Sequence, residues 1–130
     1  MSEVLNKIEQ YAKEALSILQ KSTSKRLRVD RILLSNKMKT TMGYALYEFN
    51  EKSRRYRYTI KISGVIFKRD SVTLKESVYH EVAHLVDYQI YKQWGHGHTW
   101  IRLMHRLGIE PVVFATDEEY LEAGYTRQVK

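Results

Sequence analysis

The sequence predicts an α+β domain. Apolar residues recur every three or four positions at the N-terminus and again beyond residue 71, whereas two runs between residues 43 and 63 are β-rich and the second alternates strictly between apolar and polar side chains. With 130 residues, 43% of them apolar and 28% charged, the chain is long enough to bury one core, so the expectation is a single domain over 1–130.

The first element is an amphipathic helix starting near Ser2, with Val4, Leu5, Ile8, Tyr11, Ala12, Ala15, Leu16 and Leu19 on one face and Lys7, Glu9, Lys13 and Glu14 between them. Lys21 to Lys25 is a polar break. Leu27, Val29 and Arg31 to Leu34 then suggest a strand. Gly43–Phe49 and Arg55–Ser63 flank the turn-like stretch Asn50–Arg54 and read as an antiparallel hairpin. In its second arm Tyr56, Tyr58, Ile60 and Ile62 alternate with Arg55, Arg57, Thr59 and Lys61, which gives one apolar and one cationic face. The sheet is therefore expected to be small and mostly antiparallel.

Asp70 or Ser71 can cap the next helix, and Thr73 with Glu76 has capping-box spacing, so a long helix is predicted from about Thr73 to Lys92. Leu74, Val78, Val82, Leu85 and Gln89 fall on its core side, and His80, His84, Asp87 and Tyr91 on another. After the loop Trp94-Gly95-His96-Gly97, a short helix turns Trp100, Leu103, Met104 and Leu107 inward and ends at Gly108 and Pro111. The acidic run Asp117–Glu122 suggests one last helical turn.

There is no cysteine, which excludes a disulfide scaffold, a thiol nucleophile and any Cys-ligated zinc ribbon, and leaves His and carboxylates as metal donors. Charges punctuate the first twenty residues, so neither a signal peptide nor a membrane span is predicted. The expected location is the cytoplasm or nucleoid, or the nucleus in a eukaryote, without secretion and without a membrane partner. A net charge of +7 favours acidic partners, nucleic acid first.

His80-Glu81-Val82-Ala83-His84 is an HExxH motif inside a predicted helix. Four residues advance a helix by just over one turn, so both imidazoles project from one face and reach a common ion. Glu81 points beside them, where it is no ligand but contacts the activated water as its general base. Zinc is the metal that neutral imidazoles in an open tetrahedral site suit best, one ion per chain. Five His and eleven Glu in 130 residues would produce this motif by chance roughly 0.02 times. Asp87 and Ile90 stand where the metzincin form needs Gly and His, so that class is excluded. For the third ligand the Gly-punctuated loop offers His96 and His98, between which spacing does not choose. Glu110 has no helical face to orient it, and His105 falls on the side of its helix away from Trp100. Asp87, one turn past His84, is either an imidazole-orienting partner or a solvated helix residue.

HEVAH, an eleven-residue gap, His96-Gly97-His98-Thr99-Trp100 and then Leu103 to Gly108 resemble the SprT-like zinc metallopeptidase family, which includes the Spartan proteases. The resemblance covers about Leu27 to Pro111. It implies a minimal zincin-like metallopeptidase fold, with His96 as third ligand beside His80 and His84 and with Glu81 as the catalytic base. It also implies proteolysis of proteins covalently trapped on DNA, with DNA as activator, hence a role in DNA–protein crosslink repair. The Cys-rich zinc ribbon that many members carry is not expected here.

The residues themselves contribute charge placement. Seven Lys or Arg lie between Lys21 and Thr40 against one Asp, and seven between Glu51 and Asp70 against two acids. Arg54, Arg55, Arg57 and Lys61 alternate with tyrosines, and Lys25, Arg26, Arg28, Lys37 and Lys39 form a second group. Cations beside aromatics suit single-stranded or partly unpaired DNA, provided Tyr56 or Tyr58 faces outward. Two rival readings stand beside DNA-linked proteolysis: a nucleic-acid-binding module whose zinc is structural and closed by a fourth ligand such as His98, and a zinc peptidase or other zinc hydrolase without DNA linkage.

Overall fold

The structure, a computed structural model, describes residues 3–37, 43–64 and 71–109. Lys39, Asp70, Glu110, Pro111 and the acidic run Asp117–Glu122 lie outside the described residues, as do the side chains of residues 71–73. The elements run α1 (Glu3–Gln20), β1 (Arg31–Ser35), β2 (Gly43–Asn50), β3 (Arg55–Ser63), α2 (Ser71–Tyr91) and α3 (His98–Arg106). The α+β class and the order of helix, small sheet, motif helix and short helix are as the sequence predicts.

α1 buries Ile8, Ala12, Ala15 and Leu19, the stripe its periodicity marked, against α2. β2 and β3 form the expected antiparallel hairpin, from Gly43 opposite Ile62 to Asn50 opposite Arg55. Its turn is set by Asn50, whose side-chain oxygen accepts from the backbone N–H of Lys52 and Ser53 at 2.9 and 3.0 Å, while Arg54 takes a positive φ of 56°. β1 pairs with β3 in parallel, Arg31 opposite Thr59 through Ser35 opposite Ser63, so the sheet is mixed, in the order β1-β3-β2. β2 is thus an edge strand, and α2 packs on it as well as on β3.

α2 departs from a two-sided reading. Every side chain from Ser77 to Asp87 is buried, because the sheet, α1 and α3 all pack on this one helix. It ends at Lys92, whose φ of 56° is left-handed, with the Lys92 ammonium over the Tyr88 ring at 4.8 Å. α3 turns Trp100, Leu103 and Met104 inward and stops where Gly108 adopts φ 76° and Ile109 N–H returns to the Met104 carbonyl at 3.1 Å. Among the described residues no helix is long and apolar enough to cross a membrane.

Candidate metal centre

His80 and His84 stand one turn apart on α2, and His96 enters from the loop before α3. Their Nε2 atoms form a triangle: His80 to His84 3.1 Å, His84 to His96 3.2 Å, and His80 to His96 3.4 Å. Ligands held 2.0–2.1 Å from a tetrahedral zinc are spaced about 3.3–3.4 Å apart, so the triangle has the dimensions of three of the four corners. His80 is 4% exposed and His84 fully buried. Burial, reinforced by the neighbouring imidazole of His96, pushes the pKa of His80 down to about 3. Burial and then His80 and His96 hold His84 well below the ordinary value of 6.5. Both rings are therefore neutral at physiological pH, the form that donates a lone pair to a metal. Three convergent neutral imidazoles match the donor chemistry of zinc.

The rings rest on Trp100, which is fully buried. Its indole stacks on His84 at 5.3 Å and 18° and meets His80 and His96 edge-on at 4.9 and 4.6 Å. Residue pattern alone marks Trp100 only as a core position. Its role as the floor of all three imidazoles follows from its place four residues after His96, which puts it on the inward face of α3 directly behind the loop histidine. Glu81 is fully buried and follows His80 directly on α2.

His98 opens α3, is exposed, and is not in the three-histidine cluster; His105 is exposed as expected. Asp87 is not a solvated residue, for it is 1% exposed. Burial pushes its pKa up to about 6 against the opposing pull of Thr99 and His98, and its Oδ1 is buried with no hydrogen-bond partner among the described residues. The Nδ1 atom of His84 is buried with no hydrogen-bond partner among the described residues.

The two basic groups meet in part. Arg26, Arg28, Arg55 and Arg57 line one cleft of about 670 Å³, together with Asn50 and Tyr56. Arg28 is already engaged there: it pairs with Asp30 at 2.9 Å, donates to the Tyr56 carbonyl and lies over the Tyr58 ring at 5.0 Å. Lys25 caps the end of α2, its ammonium donating to the carbonyls of Gln89 and Ile90 at 3.3 and 3.2 Å. Lys61 is half-buried in mid-strand, while Lys37 and Arg54 are exposed and do not line the cleft. Tyr58 is 4% exposed and belongs to the core. Tyr56 is half-buried, and its hydroxyl meets that of Tyr88 at 3.2 Å. From Tyr88 the row continues through Tyr47, stacked at 3.9 Å, to Trp94 at 5.1 Å from Tyr47 and 5.7 Å from His84. Sequence reading misses this link between cleft and histidines; its one local signal is Tyr88, four residues after His84 on the same helix.

No curated protein and no solved structure matches the chain at a significant level. A family model does: that of the SprT-like family matches residues 5–119. This match and the three-histidine cluster fit a zinc metallopeptidase. The match extends over nearly the whole chain, from within α1 to beyond α3, and the chain belongs to the SprT-like family.

Proposed function

We propose that the protein is a zinc-dependent endopeptidase, stimulated by DNA, that cleaves proteins bound or crosslinked to DNA. The observation that carries the reading is the triangle of His80, His84 and His96 Nε2 atoms with Glu81 buried beside it. These three histidines would hold the ion. Zinc in such a site supplies Lewis acidity toward water and toward a peptide carbonyl. Glu81 takes the proton of the attacking water on its carboxylate and delivers it to the leaving nitrogen of the cleaved peptide bond.

A substrate backbone finds hydrogen-bonding groups on β2, the edge strand packed on α2, and pairing in extended form reads many sequences alike. Because His98 stands outside the cluster, the described residues offer three ligands rather than four, which favours catalysis over a closed structural site. The DNA link rests on the cleft that joins Arg26 to Arg55 and Arg57, and on the aromatic row from that cleft's Tyr56 to His84. Phosphates pair with the arginines, and counterion release makes the attraction salt-dependent. Tyr56, held among other rings, offers at most an edge to an unpaired base.

The test is incubation of the zinc-loaded protein with a DNA-bound basic protein, with and without single-stranded DNA and a chelator. Cleavage is expected to rise with DNA, fall steeply with salt and stop with the chelator. Cleavage indifferent to DNA leaves a general zinc peptidase, and no cleavage under any condition returns the binding-module reading.

A further inference from the structure

The face of α2 that carries His80 and His84 continues one turn further to Asp87, about 4.5 Å along the helix axis from His84. Beyond Tyr91 the chain leaves α2 and returns through residues 92–97 to start α3, and a cavity of about 360 Å³ is lined from α2, this loop and α3 together. Asp87 is its innermost wall, 1% exposed, with Oδ1 buried and without a hydrogen-bond partner, whereas Tyr91, Gln93 and His98 are exposed at its rim. We propose that this cavity is a substrate side-chain subsite, which takes the cationic side chain of a lysine or arginine near the cleaved bond, with Asp87 as the specificity-determining residue.

The chemistry of the walls selects a cation. A buried carboxylate oxygen without a donor is costly, and an ammonium or guanidinium supplies both the donor and the opposite charge. Burial raises the pKa of Asp87 only to about 6, so the group is ionised at neutral pH. In a chain of net charge +7, no lysine or arginine lines this cavity. Tyr91 and His98, the other titratable groups that line it, stand at the exposed rim. The rings of Trp94 and Tyr91 complete a lining that holds an ammonium or guanidinium by its charge as well as by contact.

The cavity also adjoins the chemistry. Trp94, one of its walls, has its ring 5.7 Å from that of His84 and 5.1 Å from that of Tyr47 on the edge strand β2. Gly97, another lining residue, follows His96 directly. An extended substrate paired on β2 sends alternate side chains to opposite faces, and one set points toward α2 and this cavity. The inference rests on the peptidase reading of the three histidines and Glu81.

The test first digests an unfolded protein of ordinary composition with the zinc-loaded enzyme and maps the cleaved bonds by mass spectrometry. Lysine and arginine should be enriched at one fixed position relative to the cleaved bond. Two peptides that differ only in lysine or norleucine at that position are then compared in wild type and Asp87→Asn, with the same single-stranded DNA present throughout, so that recruitment of the lysine peptide by DNA cancels between the two enzymes. Wild type should favour lysine by roughly 10–100-fold in kcat/KM, the range of a hydrogen bond to a charged group. Asp87→Asn should bring the ratio to within about threefold through loss on the lysine peptide alone, its activity on the norleucine peptide staying within about twofold of wild type. No lysine preference in wild type, a preference retained in Asp87→Asn, or an equal fall on both peptides would each overturn the proposal. If Asp87→Asn fails to fold, Gln93→Lys, which puts a cation on the exposed rim, decides it: the ratio should fall by about threefold, and an unchanged ratio overturns the subsite. A wild type that cleaves neither protein nor peptide overturns the peptidase reading and this inference with it, whereas cleavage indifferent to lysine overturns the subsite alone.

Discussion

Replacing His96 by alanine removes one of three Nε2 atoms that stand 3.1 to 3.4 Å apart, while replacing His98 removes an exposed imidazole outside the cluster. The two residues are separated by a single glycine, so the pair isolates ligation from loop chemistry. Zinc held by four protein ligands gains about 10–16 kcal/mol, or about 3–4 kcal/mol per ligand, which corresponds to a loss of about 10²–10³ in affinity for His96→Ala. His98→Ala, a surface change, should cost within about 0.5 kcal/mol, a factor near two. His96 is only half-buried, so its loss should leave the metal-free fold in place. Zinc per chain after dialysis, followed by chelator competition, reads both effects, and the metal-free melting temperature checks the fold. Full zinc retention in His96→Ala with loss in His98→Ala would refute the geometric reasoning.

Trp100→Ala, at a fully buried site under all three imidazoles, should cost about 3–5 kcal/mol and lower the metal-free melting temperature by more than about 10 °C; a fall of only a few degrees would contradict its role as floor. Zinc at a hundredfold excess over its dissociation constant should return about 2.7 kcal/mol of any such loss. As pH falls from 6.5 toward about 3, the unfolded chain takes up protons that folded His80 and His84 refuse, so these groups make the metal-free protein less stable as pH falls. Asp87 acts in the opposite sense between about 6 and 3.8, where the folded form holds a proton that the unfolded chain has lost. Urea unfolding at several pH values should therefore show a shallower acid loss in His80→Asn than in wild type, and an unchanged slope would count against the burial argument. Charge reversal of Arg55 and Arg57 together should weaken DNA binding and flatten its salt dependence with zinc content unchanged; binding unaffected by it would place DNA elsewhere on the surface.

What could be read from the sequence is what repeats locally. The stripe of Ile8, Ala12, Ala15 and Leu19, the hairpin around Asn50, and the pair His80 and His84 each follow from a period along one element. The choice of His96 over His98 came from the family resemblance, because two histidines separated by one glycine differ only in where the loop puts them. The parallel partnership of β1 with β3 was not legible, since it depends on a pairing between strands separated by the whole of β2. The burial of α2 on all sides escaped for the same reason: the sheet, α1 and α3 reach it from different parts of the chain, and Asp87 looks solvated until Thr99 arrives beside it. Lys25 and Arg28 read as free cations, yet carbonyls from α2 and β3 and the Asp30 carboxylate already engage them.

The most direct measurement compares Glu81→Gln with wild type in cleavage of a DNA-bound protein, at matched zinc content. The substitution keeps the volume of a fully buried side chain and touches no ligand, so the variant should hold one zinc per chain and keep its fold. Cleavage should drop by roughly 10²–10⁴-fold as the proton acceptor is lost. Undiminished cleavage by the zinc-loaded Glu81→Gln protein would contradict a site in which His80, His84 and His96 hold the metal and Glu81 moves the proton.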